Sequence, residues 1–181
     1  MALELNGTTG VSLVQDGVVT AADLASGAIT SAALPAGSVI QVVQNEQTIA
    51  RFSTTSTSFQ NTGFFVNITP TSTSNKILVL ANWVGIINGA NSAYATIYRD
   101  STDLAADWSS TEGLGWYGYN TVGGIWQPVM VSVLDAPATT SQVTYKLYGR
   151  SGNASLTATF GRNSVSGTKN QVNIVAMEIA A

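Results

Sequence analysis

Four carboxylates lie close together near the middle of the chain: Asp100, Asp103, Asp107 and Glu112. Two such groups held roughly 5–9.5 Å apart, one with a raised pKa, can hydrolyse a glycosidic bond. Several of them, with backbone carbonyls, can hold Ca²⁺. Their neighbours Ser101, Thr102, Ser109, Ser110 and Thr111 point to a third role. In Ser/Thr-rich loops an Asp accepts local backbone hydrogen bonds and shapes the turn. The spacing fits no metal-binding loop, so the sequence assigns the cluster to turn chemistry. It names no catalytic residue, no metal ligand and no cofactor. The chain contains no histidine and no cysteine. That removes a Ser-His-Asp triad, thiolate chemistry, a disulfide framework and the common zinc sites. Gly123-Gly124 lacks the helix and lysine that a phosphate cradle needs. The expectation is a protein that is not an enzyme.

Aromatic residues form the second constellation. Trp108, Trp116, Tyr117, Tyr119 and Trp126 crowd together, with Asn120 beside them and Gly113, Gly115, Gly118, Gly123 and Gly124 between them. Flat rings next to Asn and Asp acceptors suit stacking on sugar rings, with hydrogen bonds to hydroxyls. This makes Trp108, Trp116, Tyr117, Tyr119, Asn120 and Trp126 the candidate receptor or glycan contacts. The competing reading puts the same rings in a core or a subunit interface, with glycines marking bulges. In a strand Trp116 and Tyr117 face opposite ways, so alternation permits both readings.

These residues must be held by β-structure, because the chain after residue 37 reads as strand almost throughout. Candidate strands cover 39–43, 48–53, 64–68, 76–87, 93–99, 114–119, 125–134, 142–148, 156–160 and 171–179. The 53–58 Ser/Thr run is either edge strand or loop. The 76–87 segment is mainly apolar and reads as buried on both faces. In 93–99, Tyr94, Thr96 and Tyr98 fall on one side and Ala93, Ala95 and Ile97 on the other. Strands at this spacing, with turn signals between them, indicate an all-β sandwich.

Residues 1–36 are different. Glycine recurs every ten residues at Gly7, Gly17, Gly27 and Gly37, and an apolar residue every five at Val14, Val19, Leu24, Ile29, Leu34 and Val39. A step of five keeps to one face of neither a helix nor a strand. Each unit reads as a short extended piece followed by one helical turn, with Thr20 and Thr30 at N-cap positions and Gly27 and Gly37 closing the turns. A single apolar rung per half-unit has no partner in its own chain. Three copies around an axis would bury each rung together. The expected organisation is an N-terminal repeat stem, 1–36, and a β-sandwich head, 37–181.

Composition narrows the partners. Charged residues are 9% of the 181, against about 25% in ordinary soluble domains. The net charge is −3, and the seven Lys and Arg residues are scattered. Nucleic acid is therefore not an expected partner. The start Met1-Ala-Leu-Glu-Leu-Asn-Gly lacks the basic and apolar regions of a signal peptide. No apolar run reaches the length of a membrane span, so no membrane insertion and synthesis in a reducing cytoplasm are expected.

Several motifs together resemble the tail-fibre and virion structural proteins of marine and freshwater bacteriophages. They are Leu5-Asn-Gly-Thr-Thr-Gly-Val11, Asp16-Gly-Val-Val-Thr-Ala-Ala-Asp-Leu24 and Leu34-Pro-Ala-Gly-Ser-Val-Ile-Gln-Val-Val43. In the second half they are Pro70-Thr-Ser-Thr-Ser-Asn-Lys-Ile-Leu-Val79, Leu134-Asp-Ala-Pro-Ala-Thr-Thr-Ser141 with Thr144-Tyr-Lys146, and Met177-Glu-Ile-Ala-Ala181. Residues 88–129 match nothing in that family. The resemblance implies a homotrimer, with the stem docked on other virion proteins through residues 1–36 and the head facing the host. It implies a jelly-roll-like antiparallel sandwich, like the trimeric heads of tumour-necrosis-factor type by analogy. A host cell-surface glycan is the implied outside partner, and the virion (tail or capsid appendage) the implied location. A head fibre, capsid decoration or tail connector with no adhesive role fits the same motifs.

Overall fold

The computed structural model describes residues 5–6, 10–11, 33–45, 51–87, 92–106, 111–118, 125–161 and 172–181. At Leu5, Asn6, Gly10, Val11, Ile87, Trp116 and Ile125 it describes the backbone alone. The chain divides into two compact units, Met1–Pro35 and Ala36–Ala181. In the first, strand β1 (Leu5–Asn6) pairs antiparallel with β2 (Gly10–Val11). The rungs Val14, Val19, Leu24 and Ile29, and the expected Thr-capped turns, lie outside the described residues. Leu34 is exposed.

The second unit is an antiparallel β-sandwich. Its strands are β3 (Val39–Gln44), β4 (Phe52–Thr54), β5 (Gln60–Ile68), β6 (Lys76–Ile87), β7 (Ser92–Arg99) and β8 (Thr102–Asp103). They continue with β9 (Gly115–Gly118), β10 (Ile125–Asp135), β11 (Val143–Ser151), β12 (Ala158–Phe160) and β13 (Asn173–Ile179). The first sheet runs β3-β13-β6-β10, with β12 and β4 continuing from β6 beyond the end of β13. The second runs β5-β11-β7, with β8 and β9 each pairing one end of β7. Take the eight main strands in chain order: β3, β5, β6, β7, β9, β10, β11 and β13. One sheet then reads first-eighth-third-sixth and the other second-seventh-fourth-fifth. Two interlocked Greek keys of this order make a jelly roll.

Alternation explains why these segments settle this way. In β11, Val143, Tyr145, Leu147, Gly149 and Ser151 are buried while Thr144, Lys146, Tyr148 and Arg150 are half-buried on the other face. β7 alternates as its sequence requires, with Ala93, Ala95 and Ile97 buried. The period of two puts each strand's apolar set on the face toward the other sheet. Between the sheets the largest side chains meet. Trp83 of β6 packs edge-on against Tyr117 of β9 at 6.3 Å and lies 5.9 Å from Phe160 of β12. Tyr117 meets Phe160 edge-on at 5.6 Å, and Phe52 of β4 completes the group at 6.1 Å from Phe160. Burying each such ring is worth about 1.5–3 kcal/mol. Gly85 and Gly149 leave room for them: a Cβ on Gly85 would overlap the Tyr117 ring, and one on Gly149 the Phe160 ring.

Two expectations change. The expected 48–53 strand is realised as β4 at Phe52–Thr54, and residues 48–50 fall outside the described set. Ser56 and Ser58 then make a local turn, in which the Ser58 N–H donates to Ser56 Oγ at 3.1 Å. The larger change concerns β6. Its apolar content reads as burial on both faces, but only Ile77, Val79, Ala81, Trp83 and Gly85 are fully buried. Leu78, Leu80, Val84 and Ile86 are half-buried and Asn82 is exposed. The second sheet covers one side of β6, and no described element covers the other.

The glycine at Gly149 can be tested directly. Gly149→Ala forces the Phe160 ring off its site and should cost about 1–3 kcal/mol. Chemical denaturation measures this, and an unchanged midpoint would mean that the ring does not lie over Gly149.

Candidate functional site

Two polar clusters lie at one end of the sandwich, where Glu178 and Asp135 flank Ile77 in one register row. At one, Glu178 of β13 is fully buried, yet every oxygen is occupied. Its Oε1 accepts from the Thr71 N–H at 2.7 Å, Thr71 Oγ1 at 2.9 Å and Asn75 Nδ2 at 2.7 Å. Its Oε2 accepts from Gln41 Nε2 at 2.6 Å. Burial pushes this carboxyl up. The hydrogen bonds from Asn75, Gln41 and Thr71 outweigh that and hold it below the ordinary carboxylate value. The Pro70–Lys76 turn motif and the final strand are thus joined by one side chain. At the other cluster Arg99 Nη1 meets Asp135 Oδ1 at 2.7 Å and Oδ2 at 2.8 Å, and Tyr145 OH donates to Oδ2 at 2.7 Å. Burial, then the hydrogen bond to Asp135, raises the Tyr145 pKa. The motif residues Asp135 and Tyr145 tie β10 to β11 across the two sheets.

The central carboxylates do turn chemistry. Asp100 sits at φ 53°, a left-handed conformation that Asp tolerates. Its Oδ1 accepts from the Thr144 N–H at 3.0 Å, and its carbonyl accepts from Lys146 Nζ at 3.2 Å. Asp103 Oδ1 accepts from Thr96 Oγ1 at 2.6 Å and the Ala105 N–H at 3.0 Å. Glu112 is exposed and Asp107 lies outside the described residues. Among the described residues no cluster of carboxylates has metal-binding proximity.

The aromatic candidates separate. Tyr117, only 4% exposed, is a core residue, and its hydroxyl donates to the Thr159 carbonyl at 2.5 Å. Burial drives its pKa far up. A ring enclosed by Trp83 and Phe160 has no face to offer a ligand, so Tyr117 leaves the set of candidate contacts. Trp126 is exposed on the outer face of the first sheet, in register with Ile86. The Trp116 backbone pairs with Tyr94. Trp108, Tyr119 and Asn120 lie outside the described residues. Of the last two stem rungs, Leu34 and Val39 are both exposed, and Val39 opens β3.

The outer faces of the two sheets differ in kind. On the first, Val42, Met177, Leu78 and Leu134 stand in one register row across β3, β13, β6 and β10. Val39, Val42, Met130 and Leu134 are each more than half exposed. An open depression of about 460 Å³ lies over Asn82, Val84, Pro128, Met130 and Asn173. On the second, aromatic and cationic side chains gather. Tyr98 and Tyr148 stack at 3.9 Å, and the Arg150 guanidinium lies 4.0 Å over Tyr94 and 5.5 Å from Phe59. Arg150 Nε donates to the Thr111 carbonyl at 2.8 Å, and burial lowers its pKa. Phe65 and Lys146 adjoin them in register with Tyr98. This second face was missed in the sequence because its rings come from three separate strands. Only the alternation of Tyr94 and Tyr98, and of Lys146, Tyr148 and Arg150, hinted at it.

No protein-family model matches the chain, and no curated protein sequence matches it either.

Glu178 sets an acid dependence. Its folded pKa is depressed, so its contribution is complete above the unfolded value of about 4.3 and is lost as pH falls through the folded value. Glu178→Gln replaces an acceptor with an amide that opposes the donors of its neighbours, and should cost about 2–3 kcal/mol at neutral pH. Thermal melts from pH 7 downward should show a steep acid loss in the wild type and a flatter profile in the variant. Parallel profiles would assign the acid loss to other groups.

Proposed function

We propose that this chain is a trimeric bacteriophage virion fibre or spike component whose β head contributes to host attachment. The observation that carries the reading is the split character of the head: one outer face aliphatic and nearly free of charge, the other aromatic and cationic. A self-assembling adhesin needs both kinds of surface, one to pack and one to recognise. The five-residue apolar ladder of residues 14–39, a period that keeps to one face of neither a helix nor a strand, supports assembly in copies. The resemblance of the stem repeat and the head motifs to phage fibre proteins supplies the biological setting. Fold alone does not carry it, since jelly rolls serve many functions.

A second reading, a non-adhesive head fibre, capsid decoration or tail connector, is favoured by one observation. The second-face rings already cover one another: Tyr98 lies on Tyr148 and Arg150 on Tyr94. Such stacking also serves stability alone. Locating the protein in intact particles separates the readings, with the distal tail favouring adhesion and capsid vertices favouring decoration.

The mass of the full chain in solution should be that of a trimer, and a stable monomer would sink the assembly. In whole-cell binding, Tyr148→Ala should weaken attachment about tenfold or more while costing about 1 kcal/mol of stability. Undiminished attachment by this variant would remove the second face from the adhesive role.

A further inference from the structure

Strand β3, by which the chain enters the head, is held less by burial than the other main strands. It lies at the edge of the first sheet and pairs with β13 alone. Of the eight main strands it is the one with no fully buried side chain among the described residues, and Val43 is only partly buried against the core. Its register with β13 shifts between Val39 and Gln41, where β3 has one residue more than its neighbour and the ladder is interrupted. Before that point the Gly37 N–H donates to the Ala180 carbonyl at 2.8 Å, and the Ala180 N–H to the Ser38 carbonyl at 2.9 Å. Side-chain hydrogen bonds add two fastenings among the described residues. Past the far end of β3, Asn45 Nδ2 donates to the Phe65 carbonyl at 3.2 Å. Beside the register shift, Gln41 Nε2 donates to Glu178 Oε2 at 2.6 Å and to the Thr69 carbonyl at 2.8 Å.

The two oxygens of Glu178 are loaded unequally. Oε1 takes three donors from the turn before β6, and Oε2 takes Gln41 alone. A proton arriving on the carboxylate therefore goes to Oε2. There its O–H faces the Gln41 amide hydrogen, and the bond to β3 is lost while Oε1 keeps the turn. Rotating the Gln41 amide would give the acid proton an oxygen to meet, but would set that oxygen against the Thr69 carbonyl. We propose that the Gln41–Glu178 bond is an acid-operated latch: protonation of Glu178 frees residues 36–42 from the sheet while the rest of the sandwich stays folded. β3, β5 and the 69–75 turn contain no charged residue. The titratable groups near the latch are Lys76, exposed on the outer side of β6, the terminal carboxylate at Ala181, and Asp135, which lies beyond Ile77 and is held by Arg99 and Tyr145. Burial raises the Glu178 pKa, and the bonds from Asn75, Gln41 and Thr71 outweigh it and hold it below the ordinary carboxylate value. The latch is thus closed at neutral pH. Its contribution is complete above the unfolded value of about 4.3 and is lost as pH falls through the folded value. The device belongs to the Ala36–Ala181 unit and does not depend on the trimeric reading.

Amide hydrogen exchange, read by mass spectrometry on the full-length chain, tests the latch. Protection is followed from about pH 7 to about pH 2.5, with the intrinsic exchange rate corrected at each pH. In the wild type, protection of residues 36–42 should fall at least about tenfold on acidification, while peptides from β7 and β11 keep theirs. Gln41→Ala, at a half-buried position on an edge strand, removes the latch and leaves Glu178 in place. Residues 36–42 of this variant should exchange at neutral pH about as fast as those of the acidified wild type, and should respond little to acid. Three results overturn the proposal. One is equal protection of 36–42 at both ends of the pH range. Another is loss of protection in 36–42 and β11 together, which is global unfolding. The third is an acid response in Gln41→Ala equal to that of the wild type, which assigns the response to another group such as the terminal carboxylate.

Discussion

Strand β6 is apolar on two sides, and among the described residues only one of them is covered. Everything else in the head follows from how that strand is placed. It pairs with β10 along its whole length on one edge, and with β13 and then β12 on the other. It therefore forms the centre of the first sheet and carries Trp83 into the middle of the core. Each sheet then needs a small residue wherever a ring crosses the gap: Gly149 of the second sheet gives room to Phe160, and Gly85 of the first to Tyr117. Interior packing at crystal-like density makes such positions intolerant of even one added carbon.

Charge is scarce here, and much of it is used for joining. Glu178 receives four hydrogen bonds from two segments distant in sequence, and Asp135 receives Arg99 and Tyr145 from the opposite sheet. A buried carboxylate is tolerated only when its lone pairs are met, and both of these are. Such contacts fix which strand ends lie together. A jelly roll depends on this, because its neighbours in the sheets are mostly distant in sequence. The Ser/Thr/Asn turn before β6 then has a physical purpose: it presents the Thr71 amide and hydroxyl and the Asn75 amide to Glu178. The first sheet's outer face, in contrast, is left almost without charge.

Strand positions were largely legible because alternation is a local property. The period of two in β7 and β11 appears in the sequence and sets which side chains turn inward. The aromatic site was legible only in part. Trp116 and Tyr117 differ by one residue, so alternation required opposite directions but could not say which ring turned in. Tyr117 is the inward one because Gly85 on the facing sheet leaves space for its ring. The second-face group around Tyr98, Tyr148, Arg150 and Phe59 could not be seen as a group, since register across β5, β11 and β7 brings it together. Glu178 gave one faint signal: it shares the parity of Ile174 and Ala176, and so falls on the buried side of its strand.

By itself, then, the sequence determined an all-β head, the apolar ladder before it, and a chain with no histidine or thiol to do chemistry. Those are matters of composition and short-range period, which need no partner. Only the tertiary structure decided the strand order, the removal of Tyr117 into the core, the use of Asp135 and Glu178 as internal ties, and the separation of an aliphatic face from an aromatic one. Each of these depends on which distant strands become neighbours. That choice is made by the packing of whole sheets against each other, and no local pattern encodes it.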